Sequence, residues 1–286
     1  MAGAGLVAIK RRIKSINNTK KITKAVGLVA TSKLRKARQS LETNNMYYNY
    51  LEDIMNDIVR NSEFQDNIYI KGNDSKKNIF IALMSDTGLC GGFNGNVVVK
   101  TVQNISGDKE NSLLVVVGQK GRTYFKKMGY ESIAEYVEIP DIPTTKEAKT
   151  IVDKAFRLYE EGQVGEVKVV YTKFVSSVKQ EVKIKRLLPI EYKQININKS
   201  NTYIEYEPKG KKILENILNV YLKQTLLNLM LNSKASEQGS RMAAMDGATR
   251  NANDLLDKLN LKYNRIRQSM ITQEISEIVG GAEAQK

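Results

Sequence analysis

Apolar and small side chains recur at alternating steps of three and four residues along one stretch near the start of the chain, from Leu6 to Ile58. This spacing places them on one stripe of an α-helix and is typical of the seam of a coiled coil. At 1.5 Å per residue, a helix over this range would be roughly 80 Å long. A domain of this size cannot bury such a helix, so the segment must pair with another helix or project.

The middle of this seam is occupied by small or polar side chains, at Lys20, Thr23, Gly27 and Ala30. A partner helix could approach closely there, while burying less apolar surface than at a leucine-rich seam.

The last third of the chain has the same pattern. No proline follows Pro208, and one helix from Lys211 to Val279 would be on the order of 100 Å long. Its seam contains Met242, Met245, Thr249, Ala252, Leu256, Leu259, Tyr263, Ile266 and Met270. Small residues lie around its start, at Ala235, Ser236, Gly239, Ser240, Ala243, Ala244, Gly247 and Ala248. Two such helices predict an antiparallel coiled coil; the alternative is two unrelated helices, each bound to another chain.

Between these segments, apolar strands alternate with helical stretches, which predicts a central α/β, Rossmann-like domain. The strands are expected at NIFIALMSD, SLLVVVGQKG, EVKVVYTKF and QEVKIKRLL, and the helices near Asn94–Asn104, Arg122–Lys127 and Lys146–Glu161. The predicted division is an N-terminal helix over 1–62, the central domain over 75–195 and a C-terminal helix over 208–286. Val220 to Leu231 is strongly apolar, and as an exposed seam it would favour self-association.

A glycine-rich loop, SDTGLCGGFN, follows the first predicted strand, from Ser85 to Asn94. It lacks the Gly-Lys-Ser/Thr ending of a P-loop and the G-x-G-x-x-G fingerprint. Only Asn96 and Lys100 lie nearby to meet a phosphate. The loop therefore favours tight turns and close packing of strand against helix over a nucleotide site.

Charge and composition limit the possible functions. The net charge is +14, and residues 1–41 hold eleven basic side chains and no acidic one, which favours an acidic partner: nucleic acid, anionic lipid or an acidic protein. The chain has no histidine and one cysteine, Cys90. This composition excludes catalytic triads, Cys/His zinc sites and internal disulfides. No stretch predicts a signal peptide or a membrane span, so we expect a cytoplasmic protein.

Three blocks of the sequence resemble the gamma subunit of F-type ATP synthases. INNTKKITKAVGLVATSKLRKA is similar to the family's N-terminal helix, SDTGLCGGFN to its central-domain loop, and the stretch from Ala235 to Ala284 to its C-terminal helix. The ending matches the family signature at Ile271, Thr272, Glu274, Glu277, Gly281, Ala282 and Ala284. The single cysteine cannot form a chloroplast-type thiol switch, and the helix begins at the start of the chain, so the resemblance is to the bacterial type.

The resemblance implies a non-catalytic rotor shaft without cofactor or metal. In the family, the two terminal helices stand as a coiled coil inside a ring of three α and three β subunits. The central domain touches the epsilon subunit and the membrane ring of c subunits, whose ion-driven rotation the shaft couples to ATP synthesis or hydrolysis. This implies a peripheral protein at the cytoplasmic face of the bacterial cell membrane.

The resemblance also implies contact residues. Arg267, Gln268 and Thr272 match the family's polar contact with a β-subunit loop, and Lys24 with Val26 matches an opposite N-terminal station, where the family often has methionine instead of Val26. Tyr206 and Glu207 match the contact with polar loops of the c ring. The alternative for each is a solvated surface position. The alternative functions are a basic coiled-coil protein that binds nucleic acid, or a scaffold. The coupling ion and the size of the c ring have no signal in this chain.

Overall fold

The computed structural model describes residues 2–60, 66–191 and 211–283. The chain divides into two compact units. The first consists of Met1–Ala30 and Met242–Lys286, and the second of Thr31–Arg241. The two units are described separately below.

Helices and strands alternate in the order that the sequence predicts. The helices are α1 (Ala2–Arg60), α2 (Ile68–Lys71), α3 (Phe93–Ile105), α4 (Gln119–Lys127), α5 (Thr145–Glu160) and α6 (Lys211–Glu283). The strands are β1 (Asn78–Leu83), β2 (Ser112–Val117), β3 (Ala134–Tyr136), β4 (Glu166–Phe174) and β5 (Gln180–Leu188). Only α2 and β3 were not expected. Each is four residues or fewer, too short to show a hydrophobic period.

The first unit is a pair of antiparallel helices. The hydroxyls of Thr23 on α1 and Thr249 on α6 are 2.8 Å apart, and a Cβ at Gly27 would lie 3.4 Å from the Cβ of Met245. Every predicted seam position of this unit is buried or half-buried. The predicted antiparallel coiled coil is therefore confirmed, and Gly27 permits the close approach expected at the middle of the seam.

The second unit is built on a five-stranded sheet in the order β3-β2-β1-β4-β5. The strands β1 to β4 are parallel, and β5 returns antiparallel to β4. The chain moves outward from β1 to β3 and then crosses back to β4, as in a Rossmann-like half. Its core lies between sheet and helices and includes Phe80, Val97, Leu114, Val116 and Phe125.

In the second unit, α6 is buried on almost all sides from Leu218 to Gly239. Leu222, Leu226 and Met230 are at most 3% exposed, so the expectation of an exposed, self-associating seam at Val220 to Leu231 is wrong for most of that stretch. The reason is that α6 packs on two elements at once. The side-chain amide of Gln224 on α6 donates to the side chain of Asn44 on α1, and the Ser233 hydroxyl accepts from the backbone N–H of Thr172 on β4.

Candidate functional site

The crevice at the carboxyl ends of β1 and β4 is the position where a Rossmann-like sheet usually binds its ligand, because the strand order reverses there. In this chain α6 occupies it. The pairing of β1 with β4 ends at Ala82 and Val170, which leaves the last residues of β4 without a neighbouring strand on that side.

Side chains of α6 satisfy these unpaired backbone groups. Thr172 N donates to the Ser233 hydroxyl at 3.2 Å, and Ser236 donates to the Thr172 carbonyl at 3.1 Å. The Asn232 side chain accepts from Phe174 N at 3.3 Å. The helix thus replaces a strand, and buried N–H and C=O groups that would otherwise lack partners are paired.

Part of the predicted small-residue patch therefore meets the sheet. A Cβ at Gly239 would lie 3.3 Å from the Gln180 amide and 3.5 Å from the Ser177 carbonyl, and Ser240 donates to Gln180 at 3.0 Å. These small residues let α6 lie close to the β4–β5 turn. The sequence predicts that the whole small-residue patch contacts the other terminal helix, and this is wrong at Gly239 and Ser240, which contact the sheet. The spacing of small residues shows which face of a helix is buried, but it does not identify the element that covers that face.

Charged side chains fix α6 to the glycine loop. The Arg241 guanidinium lies 2.8 Å from the Glu237 carboxylate and donates to the Gly88 carbonyl at 3.2 Å and to the Thr87 hydroxyl at 2.9 Å. Arg241 and Glu237 are only 8% and 4% exposed. A guanidinium with several partners is the group best suited to such burial. We name Glu237, Arg241 and the Thr87–Gly88 carbonyls and hydroxyl the loop anchor.

Asp86 organises the other side of this loop. Its carboxylate accepts from the backbone N–H groups of Gln119 and Glu138 at 3.0 Å and of Ile139 at 3.1 Å. Lys234 of α6 donates to the Ile139 carbonyl at 3.2 Å. Through these three backbone donors the Asp86 carboxylate joins the ends of β1, β2 and β3. Its negative charge lies at the place where a bound phosphate would need a positive field.

The glycine loop is also bonded internally. The Asn94 side chain accepts from Ser85 N at 3.0 Å and donates to the Ser85 hydroxyl at 2.7 Å and to the Cys90 sulfur at 3.3 Å. The cavity between the ends of β1 and β2 and the stretch Met230–Glu237 of α6 has a volume of only about 10 Å³. A larger cavity of about 300 Å³ is lined by α3, β4, β5 and Ser240 and includes Asn96 and Lys100. The loop and crevice thus have the geometry of a packing joint, as the tight-turn interpretation predicts.

A cluster of tyrosines surrounds Glu52 of α1 in the same unit. Tyr48 donates to the Glu52 carboxylate at 3.2 Å, and Lys185 of β5 donates to the same carboxylate at 3.4 Å. Burial, with the nearby Glu52 charge, raises the pKa of Tyr221 to about 12 and that of Tyr48 further still. These phenols stay neutral at physiological pH and join α1, α6 and the sheet.

The predicted β-contact residues lie on the first unit. Lys24, Arg267, Gln268 and Thr272 are exposed and Val26 is half-buried. Thr272 donates to the Gln268 carbonyl at 3.0 Å, whereas the side chains of Lys24, Arg267 and Gln268 form no hydrogen bond or ion pair within the described part of the chain. Their bonding groups are therefore available to another molecule.

The end of α6 continues beyond its seam. All residues from 271 to 282 are exposed, including Ile271, Ile275, Ile278 and Val279 at 47–71%. The register set by the two contacts of the helix pair places Ala2, where α1 begins, level with about Met270, so no described helix lies beside this end of α6. An exposed apolar helix end indicates a surface that another protein covers.

Tyr206 and Glu207 lie outside the described residues. Within the described ranges, no group of three or more acidic or cysteine side chains is placed to hold a metal ion. In those same ranges, no helix has the length and hydropathy needed to cross a membrane.

Sequence reasoning missed the loop anchor and Asp86. Glu237 and Arg241 stand four residues apart among small residues, which was a usable signal for a buried ion pair. Asp86 follows a buried strand directly, and that was a usable signal for a residue at the carboxyl edge of the sheet.

Comparison with known proteins gives matches over almost the whole chain. The family described as ATP synthase matches residues 5–285. The ATP synthase gamma chain of Clostridium novyi is 64% identical over 286 residues, covering 100% of both chains. The gamma chain of Clostridium acetobutylicum is 59% identical with the same coverage.

Solved structures share the fold. A chain of the Euglena gracilis mitochondrial ATP synthase, from a structure of OSCP, F1 and c-ring, aligns with a TM-score of 0.72 at 15% identity, covering 99% of this chain and 95% of that chain. A chain of the Tetrahymena thermophila central stalk and c-ring aligns with a TM-score of 0.64 at 22% identity, covering 79% and 99%. The full-length identity to bacterial relatives, together with the family match, shows that this chain belongs to the ATP synthase gamma chain family.

Proposed function

We propose that this chain is the central rotor shaft of a bacterial F-type ATP synthase, which couples ion-driven rotation of a membrane c ring to ATP synthesis or hydrolysis in a head of α and β subunits. One observation carries the proposal. The 73-residue helix α6 is held in the sheet crevice in one unit and pairs with α1 in the other. Force applied to the sheet is therefore delivered to the same helix that forms the coiled coil.

We also propose that the chain has no catalytic site of its own. The crevice that would hold a ligand in a Rossmann-like sheet is filled by α6, and the loop beside it carries the Asp86 carboxylate. The sequence has no histidine, and its single cysteine is buried. Nucleotide, magnesium and chemistry then belong to the head, and the chain needs no cofactor.

The contacts with the head are proposed from the exposed polar residues of the first unit. Arg267, Gln268 and Thr272 contact a β-subunit loop, and Lys24 with Val26 contacts a β subunit at the opposite, N-terminal station. The basic stretch of α1 faces acidic side chains of these partners. Each exposed ion pair contributes only about 0–1 kcal/mol, which suits contacts that break and re-form during rotation.

The remaining assignments are proposals of the same kind. Tyr206 and Glu207 contact polar loops of the c ring, and the central domain contacts the epsilon subunit. The segments 1–62, 75–195 and 208–286 act as first helix, central domain and second helix. The chain is peripheral at the cytoplasmic face of the cell membrane. The nucleic-acid-binding alternative has no support from the comparisons.

The proposal is tested by mixing purified α and β subunits of the same organism with and without this chain. We expect one copy to join three α and three β subunits by native mass measurement, and sustained ATP hydrolysis to appear only with it. Absence of both, with salt-dependent DNA binding instead, would overturn the proposal.

Replacing Arg267 and Gln268 together with alanine is expected to lower ATP synthesis in energised vesicles by about tenfold. Two exposed contacts of up to about 1 kcal/mol each sum to about 1–2 kcal/mol, and about 1.4 kcal/mol corresponds to tenfold in rate. The circular dichroism of the isolated variant should be unchanged, because neither side chain is bonded within the described chain.

The matched control is the double alanine variant of Asn264 and Arg265. It removes the same two chemical types from exposed positions one turn earlier on α6, and its synthesis rate should stay near that of the natural chain. Equal rates for the two double variants would remove Arg267 and Gln268 from the proposed contact.

A further inference from the structure

The cavity of about 300 Å³ lies on one face of the central sheet, between α3 and the hairpin of β4 and β5. We name it the α3 cavity. It shares no lining residue with the small cavity at the ends of β1 and β2, and its volume is at the lower end of the range for sites that bind small molecules. One face of α3 lines it at helical spacing, with Phe93, Asn96, Val99, Lys100 and Gln103.

The inner wall of the α3 cavity contains a hydroxyl group without a partner. Thr172 of β4 lies opposite Val182 of β5, and it is on the same face of the sheet as Val170, which packs in the core beneath α3. Thr172 is 3% exposed, and its hydroxyl oxygen has no hydrogen-bond partner within the described residues. Buried hydroxyls usually have one, so this position indicates a group that the chain itself does not supply.

The polar part of the lining is positive. Lys100 lines the cavity and no carboxylate does, among lining residues that the structure describes in full. The side chains of Lys100, Asn96 and Gln103 have no bond to a described residue. Lysine has only donors and the two amides have donors as well, so this lining fits a group with negative charge and acceptor oxygens.

Two further features narrow the class of ligand. The helix α3 begins at Phe93, so its first turn adds the partial positive charge of a helix N-terminus at one end of the cavity. Phe93, Val99 and Val182 supply apolar lining, and inorganic phosphate would fill only a minor part of the volume. The lining therefore suits an anion that also has an apolar part.

We propose that the α3 cavity binds a small organic anion, with its carboxylate or phosphate on Lys100 and its apolar part against Val99 and Val182. The cavity also reaches Ser240 of α6, which donates to Gln180 of β5 at 3.0 Å. A bound ligand would contact α3, the hairpin and α6 together and stabilise their packing. The inference goes beyond the proposed rotor function and does not depend on it, because every lining residue belongs to the second unit.

Titration of the isolated chain with phenyl phosphate, benzoate and benzyl alcohol, followed by saturation-transfer NMR, tests the proposal. All three have a ring, and only the first two have a negative charge. We expect saturable binding of at least one anion, with benzyl alcohol weaker by about tenfold or more, because a hydrogen bond to a charged group contributes at least that factor. Tighter binding of phenyl phosphate would identify a phosphate ester as the ligand, and tighter binding of benzoate a carboxylate. Equal binding of benzyl alcohol, or no binding of either anion, would overturn the proposal.

Charge substitutions locate the binding. Lys100→Gln should weaken binding of the anion by about tenfold or more, and Gln103→Glu should weaken it too, because it adds a negative charge at the exposed mouth of the cavity. Lys126→Gln, at an exposed position of α4 outside the cavity, is the matched control and should bind as the natural chain does. Equal affinities for Lys100→Gln and Lys126→Gln would show that the anion binds elsewhere, as an adventitious additive only.

Thr172→Val tests the inner wall. Without ligand its urea midpoint should not fall, because the hydroxyl has no bond to lose, whereas its affinity for the anion should fall by about three- to tenfold, the contribution of one hydrogen bond. The anion should also raise the urea midpoint of the natural chain and leave that of Lys100→Gln almost unchanged. Unchanged affinity in Thr172→Val would remove the inner wall from the site and contradict the proposed cavity.

Discussion

Replacing Arg241 with leucine is expected to destabilise the chain by about 3 kcal/mol, the lower end for a broken buried ion pair, because the buried Glu237 carboxylate loses its closest partner and keeps Lys234 at 3.8 Å. Glu237 would keep its carboxylate at 4% exposure, and the carbonyls of Thr87 and Gly88 would lose their donor. The measurement is urea denaturation of the isolated chain followed by circular dichroism, since the chain has no tryptophan.

Arg250→Leu is the matched control. Arg250 also pairs with an acidic residue four positions away on α6, Asp246, at 3.0 Å, but the two side chains are 72% and 62% exposed. Its loss should cost about 0–1 kcal/mol. A double variant, Glu237→Leu with Arg241→Leu, should recover part of the loss, because the buried Glu237 carboxylate that lost its closest partner is then removed as well. Equal midpoints for Arg241→Leu and Arg250→Leu would show that the loop anchor contributes no stability.

The parts of the fold that follow from local pattern could be predicted from the sequence. The seam from Leu6 to Ile58 is buried or half-buried at every predicted position. The runs NIFIAL and SLLVVV are β1 and β2. A period fixes which face of an element is buried, and continuous apolar runs fix the strands of a parallel sheet.

The sequence has no comparable signal for which element of the fold covers a buried face. Ser236 and Gly239 lie on the buried face of α6, as expected, but they contact β4 and the β4–β5 turn. Their burial against a sheet edge depends on where β1 stops pairing, which is a property of the assembled sheet. The spacing of Glu237 and Arg241 does indicate an ion pair on α6, but the bonds from Arg241 to Thr87 and Gly88 have no such signal, because these residues are far apart in sequence.

For the proposed contact residues with the head, no pattern within this chain indicates a role. Lys24, Arg267 and Gln268 are exposed polar residues on regular helices, and no described residue of the chain binds their side chains. Their proposed role depends on a surface that belongs to another protein, so only the family resemblance distinguishes them from solvated positions.

Gly118→Ala is expected to destabilise the second unit by about 2–5 kcal/mol, from backbone strain of about 1–2 kcal/mol and a packing conflict of about 1–3 kcal/mol. Gly118 has a φ of +104°, which side-chain-bearing residues rarely adopt. A Cβ there would overlap the Met84 carbonyl and lie 2.9 Å from the carbonyl carbon of Ser85. These are backbone atoms at the end of β1, which cannot move aside as a flexible side chain can.

Gly129→Ala separates the two causes. Gly129 also has a positive φ, +73°, but no atom lies within 4 Å of its added Cβ. It should therefore lose only the strain, about 1–2 kcal/mol, in the same urea measurement. Equal losses for both variants would contradict the close approach of β2 to β1 at Gly118.

Gly118→Ala should also disturb the loop that contains Asp86. Gln119, the next residue, donates its N–H to Asp86 at 3.0 Å, so a shift at Gly118 moves one of the three donors that hold this carboxylate. The Asp86 loop is bonded in turn to α6 through Arg241. If force passes from the sheet to α6 at this edge, Gly118→Ala should lower ATP-driven ion pumping by vesicles more than Gly129→Ala does, at temperatures where both chains stay folded. Equal pumping would place the transfer of force at another contact of α6.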